Sequence, residues 1–285
     1  SWRKHMTLLL ALIAIAAYFS MPEEWRLRLS TPLPHWLGWS HRVPVGNSLR
    51  LAIAVIVPMI ILAVALQLLD GLASIFVFLL SAVIVIAVFG DSQANRIFQQ
   101  NQAEWAGSEW PSDDELLENA LSLARQHHLR SQLNELFAPL FWLLLATPVA
   151  ALGYYLLRRV AFDEQAVELS TEAGDDAAAS EESLAVICLR LADWIPARLL
   201  ALSFALAGNF TSTWAAISGR ILRTETVAYE LIDDAAEAAE PIAIDPSLTP
   251  AVGLATAMHQ LESLLQRALV VWMVFLAVKT LWPGM

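Results

Sequence analysis

Long runs of apolar residues constrain this chain more than any other feature. Residues 51–69 and 72–89 form two such runs, separated by the turn signal Asp70-Gly71, and residues 136–157 and 264–282 form two more. At about 1.5 Å per residue, each run is long enough to cross most or all of a hydrocarbon core about 30 Å thick. The sequence therefore predicts four transmembrane helices, of which the first two form a hairpin.

Two other apolar segments fit a full crossing less well. Residues 6–19 would reach only about 21 Å as a helix, which predicts a short hydrophobic helix before the first span. Residues 184–207 are long enough, but they contain Arg190, Asp193 and Arg198. Charged groups are costly in lipid unless they are paired or face protein or water. This segment is predicted to be either re-entrant or an additional span.

Composition narrows the class of protein. Of the 285 residues, 57% are hydrophobic and only 16% are charged, whereas soluble domains carry about 45–50% apolar and about 25% charged residues. The net charge of −11 argues against nucleic acid as a partner. The single cysteine, Cys188, excludes an internal disulfide, and no cysteine and histidine spacing suits zinc. We therefore predict an all-α integral membrane protein without a metal or other cofactor.

The remaining segments are polar. Residues 91–135 predict an amphipathic helix, in which Ser112 and Glu115 have the spacing of a capping box. Its apolar face comprises Leu116, Leu117, Ala120, Leu121 and Ala124. Residues 163–182 contain many acids and no base, which is typical of a flexible linker. The predicted order is an N-terminal helix and basic lead-in (1–50), the hairpin (51–90), an acidic helical loop (91–135), a span (136–157), an acidic linker (158–183), a charged membrane-embedded segment (184–208), a polar helical segment (209–263) and a C-terminal span (264–285).

Two motifs carry a resemblance to a known family. Residues 138–142 read "APLFW" and residues 193–198 read "DWIPAR". In order and separation they resemble the AmpE/CobD family of bacterial inner-membrane proteins, which includes the CobD/CbiB synthases of cobalamin assembly and AmpE, associated with the regulation of β-lactamase induction. The residues of this chain that match the family motifs are Pro139, Phe141, Trp142, Trp194 and Pro196.

The resemblance implies a multi-pass protein of the bacterial inner membrane. The Asp-Gly pair of the synthase branch is absent before "APLFW", and "RRVAFDEQ" stands in place of a second polar motif. The AmpE branch is therefore the closer match, which implies a non-enzymatic regulatory, signalling or accessory protein that contacts membrane lipid and either a protein partner or further copies of itself. The alternative is a CobD/CbiB-like synthase that uses a nucleotide and magnesium.

No residue is assigned a catalytic role. Asp193 and Arg198 could pair across the helix break expected at Pro196, either as a structural clamp or as the lining of a polar cavity. Asn134, Glu135 and Arg190 could face the same cavity, although a solvated helix start is the simpler interpretation for Asn134 and Glu135.

Two other candidate sites have simple structural interpretations. Adjacent helix positions point about 100° apart, so His127-His128 is predicted to be a surface pair rather than a pair of metal ligands. Cys188 is predicted to be a buried, inert thiol.

Overall fold

A computed structural model describes residues 2–20, 32–40, 42, 46–70, 74–90, 114–145, 147–171, 183–242 and 248–281. Within these ranges the regular structure is helical and contains no strand. The helices are α1 (Trp2–Ser20), α2 (Pro32–Ser40), α3 (Asn47–Asp70), α4 (Ser74–Gly90), α5 (Asp114–Gln132), the π-helix π1 (Leu133–Phe137), α6 (Ala138–Leu145), α7 (Pro148–Thr171), α8 (Leu184–Ala207), α9 (Phe210–Ile217), α10 (Ala228–Ala239) and α11 (Pro250–Leu281).

Two of the described helices are long and apolar enough to cross a membrane, judged by length and composition. They are Ser48–Leu69 within α3 and Val252–Val278 within α11. Met6–Ser20 and Ile75–Phe89 are shorter apolar helices. The all-helical prediction is confirmed for the described residues, whereas two of the four predicted spans meet this criterion.

The span predicted over residues 136–157 is not one helix. α6 ends at Leu145 and α7 begins at Pro148. A proline ring clashes with the carbonyl four residues before it and disfavours helical geometry at the preceding residue, whereas it is well tolerated at the first position of a helix, which Pro148 occupies. The amide groups of Ala150 and Ala151 instead bond the carbonyl of Thr147, at 3.1 and 3.3 Å. The prediction of one continuous helix was wrong, because the chain breaks before Pro148 whereas Pro58 and Pro196 stay inside helices.

A second proline coincides with a change of helix type. Pro139 stands at the second position of α6, and its ring would meet the carbonyl of Glu135 in a regular α-helix. The preceding five residues adopt the wider π-helix, π1, which removes this clash by lengthening the turn. The chain therefore runs from α5 through π1 into α6 without a loop.

The chain divides into two compact units. Unit 1 comprises Ser1–Ser92 and Ala138–Asp193, and unit 2 comprises Gln93–Phe137 and Trp194–Met285. Each unit is thus assembled from separate stretches of sequence, and α8 contributes its first part to unit 1 and its second part to unit 2.

Unit 1 is built around the predicted hairpin. α3 and α4 contact each other, and α7 packs against both helices and against α6, while α1 packs on α4 and α6. Its most deeply buried large side chains include Tyr18, Phe89 and Tyr155. The indole of Trp36 on α2 donates a hydrogen bond to the carbonyl of Ala54 at 3.0 Å, which attaches α2 to α3.

Unit 2 is built around α5, which packs against α10 and α11, while α9 packs against α10. On the predicted apolar face of α5, Leu117 and Leu121 are buried and Ala120 and Ala124 are half-buried, whereas Glu118 is exposed. Ser112, the predicted cap residue, lies outside the described residues. α11 begins at Pro250, well before the predicted start of the last span at residue 264.

Two local features also differ from the predictions. α7 continues to Thr171, so the first part of the tract predicted to be a flexible linker is helical, and Ser183 donates a hydrogen bond to Glu164 on this helix. Residues 172–182 lie outside the described residues. Residues 184–207 form one continuous helix with Pro196 inside it, so the helix break expected at Pro196 does not occur.

Candidate functional site

Four buried polar side chains follow one another along α5 and π1 in unit 2. They are Arg125, His128, Gln132 and Asn134, each less than a tenth exposed. A buried polar group without a partner is costly, so these side chains need specific partners inside the unit. We call these four residues the polar cluster. Their partners include residues of α10 and α11.

Arg125 forms the most extensive of these contacts. Its Nε donates a hydrogen bond to Asp233 Oδ1 at 2.6 Å, and its Nη2 donates to Asp233 Oδ2 at 3.3 Å and to Glu237 Oε2 at 2.9 Å. Burial lowers the pKa of Arg125, but its hydrogen bonds and the charges of Asp233 and Glu237 outweigh that effect and raise the pKa above its usual value. Arg125 therefore joins α5 to α10 as a fixed cation.

His128 lies one turn further along and contacts α11. Its Nε2 is 2.9 Å from Glu262 Oε2, and the amide of Gln132 is 3.5 Å from the same nitrogen. His127 is exposed, whereas His128 is 4% exposed. The predicted surface pair was therefore wrong for His128, because α5 has a second partner helix on that side. Among the described residues, no group of three His, Cys, Asp or Glu side chains could hold a metal ion.

Asn134 belongs to π1 and contacts the start of α10. Its Nδ2 donates to the hydroxyl of Tyr229 at 3.3 Å, and the guanidinium of Arg130 lies 4.6 Å from the centroid of the Tyr229 ring. Asn134 is 1% exposed and Glu135 is half-buried. The interpretation of Asn134 as a solvated helix start was therefore wrong, because α5 continues directly into π1.

Arg198 binds backbone rather than a carboxylate. Its guanidinium donates to the carbonyls of Ile221 at 2.8 Å, Arg223 at 2.7 Å and Thr226 at 3.5 Å. It also donates to the carbonyl of Trp194 at 3.0 Å, and it lies 4.1 Å from the centroid of that indole ring. The predicted pairing of Arg198 with Asp193 across a break does not occur, because the helix continues through Pro196 and these carbonyls take the donors.

Asp193 belongs to unit 1, where it is 1% exposed. Its carboxylate accepts a hydrogen bond of 2.6 Å from the hydroxyl of Tyr154 on α7. On the same helix, the guanidinium groups of Arg158 and Arg159 lie 5.5 and 5.8 Å from the centroid of the Tyr155 ring. Two adjacent tyrosines of α7 therefore contact these charged groups, Tyr154 the acid and Tyr155 the two bases.

The family-motif residues lie mainly in packed surroundings. Pro139, Phe141 and Pro196 are buried, and Phe141 meets Trp142 edge to face with ring centroids 5.2 Å apart. Trp142 and Trp194 are half-buried. Arg190, a predicted cavity residue, is exposed on α8, and Cys188 is half-buried rather than buried.

Four of these partner residues were not anticipated from the sequence: Tyr154, Tyr229, Asp233 and Glu262. For Asp233 a signal was present, because it occupies the apolar face of α10 together with Ile232, Ala236 and Ala239, all of which are buried. An acid on the buried face of an amphipathic helix requires a partner of opposite charge. The other three side chains belong to helices whose neighbours the sequence does not specify.

The polar cluster can hold helices together and fix their register, because charge-assisted hydrogen bonds tolerate little displacement. The carboxylates that contact the cluster, those of Asp233, Glu237 and Glu262, are already bound by a guanidinium or lie beside an imidazole. Comparison of the chain with protein-family models, with curated proteins and with solved structures found no match.

Proposed function

We propose that this chain is a multi-pass protein of the bacterial inner membrane that acts as a regulatory or accessory protein of the AmpE kind, without catalysing a reaction. The regulatory part of the proposal follows from the resemblance of residues 138–142 and 193–198 to the AmpE/CobD family. The membrane part is supported by the apolar helices of α3 and α11.

One observation supports a role other than catalysis. The buried charged side chains described in unit 2 bind partners from other elements of that unit: Arg125 binds Asp233, His128 contacts Glu262, and Arg198 binds three carbonyls of residues 221–226. Magnesium bound with a nucleotide would require carboxylate oxygens that accept metal instead of a guanidinium. This arrangement suits a structural clamp.

The synthase branch of the same family is the alternative, and in it Asp193 would belong to the site. Asp193 distinguishes the regulatory proposal from the synthase alternative. If the chain is regulatory, Asp193 has a structural role that includes accepting a hydrogen bond from Tyr154, and Asp193→Asn should preserve regulation wherever the protein still folds. If the chain is a synthase, the negative charge of Asp193 is essential.

The test combines a phenotype with a binding measurement. In a bacterium carrying this gene, deletion should change the β-lactamase level reached after induction, and both the wild-type chain and Asp193→Asn should restore it when present at equal amounts in the membrane. Purified protein in mild detergent should show no saturable binding of ATP with Mg²⁺. Saturable binding that Asp193→Asn abolishes, together with unchanged β-lactamase induction, would replace the regulatory proposal with the synthase.

A further inference from the structure

The exposed side chains of α11 change character along the helix. Before Arg267 they are mainly polar: Thr256, His259, Gln260, Ser263 and Gln266. After Arg267 the exposed side chains are apolar: Val270, Val274, Phe275 and Val278, which are between 49% and 68% exposed. A lipid-facing helix surface becomes polar where it leaves the hydrocarbon region. Although Val252–Val278 meets the length and composition criterion for a span, the exposed face of α11 changes from polar to apolar only at Arg267, and we take this residue as the level at which the helix enters lipid.

Neighbouring elements of unit 2 are attached at this level. Arg267 Nη1 donates to the carbonyl of Ala207, the last residue of α8, at 3.0 Å, and Arg267 also pairs with Glu240. One turn further along α11, the indole of Trp272 donates to Ser203 at 2.8 Å. α8 therefore reaches the polar boundary at Ala207, and α9 starts there.

α9 exposes an aromatic face at this boundary. Phe210 and Trp214 are 52% and 44% exposed, and their rings are stacked with centroids 6.2 Å apart and an angle of 4°. Thr213 and Ile217, on the other side of the helix, are buried against the unit. Aromatic side chains are enriched where a protein meets the membrane–water interface, because their rings suit the headgroup level.

The turn after α9 combines an exposed apolar side chain with backbone carbonyls that have a protein partner. Leu222 is 81% exposed, while the carbonyls of Ile221, Arg223 and Thr226 in the same turn accept hydrogen bonds from Arg198. Irregular backbone is tolerated at membrane depth when its polar groups have protein partners. The side chain of Arg223 is exposed in this turn, where it can approach lipid phosphate groups.

We propose that α9 and the turn formed by residues 218–226 lie in the interfacial layer of the bilayer, with Phe210, Trp214 and Leu222 inserted at the boundary between headgroups and acyl chains. This inference rests on the proposal that the chain is a membrane protein. A lipid surface fits this face better than a protein partner does. Three partly exposed side chains present far less than the roughly 800 Å² that each partner buries in a standard interface.

The experiment measures depth with a fluorophore attached to single cysteines, in a Cys188→Ser background and in vesicles of phosphatidylcholine and phosphatidylglycerol. Ala215→Cys and Leu222→Cys test the proposed face. Two exposed positions of α11 calibrate the measurement: Gln260→Cys for water and Val274→Cys for lipid. Iodide reports contact with water, and brominated lipids report contact with acyl chains.

Labels at positions 215 and 222 should be quenched by lipids brominated near the headgroup, with iodide quenching severalfold weaker than at position 260. Quenching like that at position 260, while position 274 is quenched by lipid, would overturn the interfacial placement and leave the membrane protein proposal intact. If the labels at positions 215 and 222 were shielded from both quenchers, the interfacial placement would also be overturned, because protein would then cover this face. Water contact at position 274 would reject the membrane proposal and this inference together.

Discussion

Two arginines that bind aspartates of the same helix differ in their surroundings. Arg125 and Asp233 have side chains 10% and 12% exposed, whereas Arg220 and Asp234 are both 41% exposed. An exposed ion pair contributes about 0–1 kcal/mol, because water solvates the separated charges well. Removing one partner of a buried pair costs about 3–5 kcal/mol, because the other charge is left without compensation. The two pairs therefore compare a buried with an exposed ion pair formed by the same two residue types.

Replacing Arg125 by Met should lower the free energy of unfolding by about 3–5 kcal/mol, since Asp233 would remain buried without its cation. The matched change Arg220→Met should lower it by at most about 1 kcal/mol. Denaturant titration of the purified protein in detergent measures both effects. Adding Asp233→Leu to Arg125→Met should recover much of the loss. Equal effects of the two single changes would contradict a buried charge pair.

Adjacent histidines provide a second comparison. His128→Ala should lower the free energy of unfolding by about 1–3 kcal/mol, because Glu262 would lose its hydrogen-bonding partner inside unit 2. His127→Ala should leave it within about 0.5 kcal/mol, as is usual for an exposed position. Thermal unfolding of both variants at one pH and one detergent concentration checks this. If His127→Ala proved the more damaging change, the assignment of the buried face of α5 would be wrong.

The residues of α5 show how far the burial of a single side chain can be predicted from sequence. The amphipathic period of α5 identified Leu117 and Leu121 as buried, because apolar side chains at helical spacing need only one partner surface. The same period did not identify His128 or Arg125, because a polar residue is buried only where another helix brings its counterpart. Asp233 and Glu262 are more than 100 positions away in sequence.

At the scale of elements, Gly208 forms a tight corner between α8 and α9. A Cβ atom at this position would lie 2.6 Å from the carbonyl oxygen of Ala239 and 2.9 Å from its Cβ. The amide of the next residue, Asn209, donates to the same carbonyl at 2.9 Å. The corner therefore depends on the close approach of two backbones, which only glycine allows.

Gly208→Ala should accordingly reduce the free energy of unfolding by about 1–3 kcal/mol, the usual cost of overpacking a site that cannot relax cheaply. Gly219→Ala is the control, because a Cβ there meets nothing within 4 Å. Denaturation midpoints of the two variants provide the measurement. A Gly208→Ala protein as stable as the Gly219→Ala protein would show that the corner can shift away from α10.

Helix boundaries were predictable where one signal acted alone. The apolar run at residues 184–207 matches α8 at both ends, because polar segments flank it on both sides. The run at residues 136–157 contains competing signals, since its hydrophobicity favours one span while Pro148 favours a new helix. The π-helix before Pro139 was not predicted, because its position depends on how one turn accommodates a ring within an otherwise continuous helix.

At the scale of the whole molecule, the two units are interleaved in sequence, whereas the sequence pattern suggested consecutive segments. Unit 1 takes α6 and α7 from the middle of the chain, and unit 2 takes α5 from before them. Hydrophobic periodicity reports the face that each helix buries but not the helix that covers it. The presence of apolar helices was therefore predictable from sequence, whereas their grouping was not.

The exposed apolar surface of α3 makes the membrane proposal testable by a single charge. Ile60 is 56% exposed near the middle of the candidate span Ser48–Leu69, and Leu123 is 68% exposed on α5, outside the candidate spans. An arginine at the centre of a transmembrane helix costs about 2.5–3.5 kcal/mol during insertion, while an arginine in water costs little. Ile60→Arg should therefore decrease the fraction of protein that resists alkaline extraction from membranes.

Leu123→Arg is the matched control, because it replaces a similarly exposed leucine on α5, a helix that also exposes polar side chains. This change should leave the resistant fraction unchanged. Immunoblots of membrane pellets and supernatants, normalised to total protein, measure both variants. If Ile60→Arg and Leu123→Arg remained equally in the pellet, the exposed face of α3 would not face lipid. In that case its isoleucines would have to be covered by protein, and the assignment of α3 as a transmembrane helix would fail.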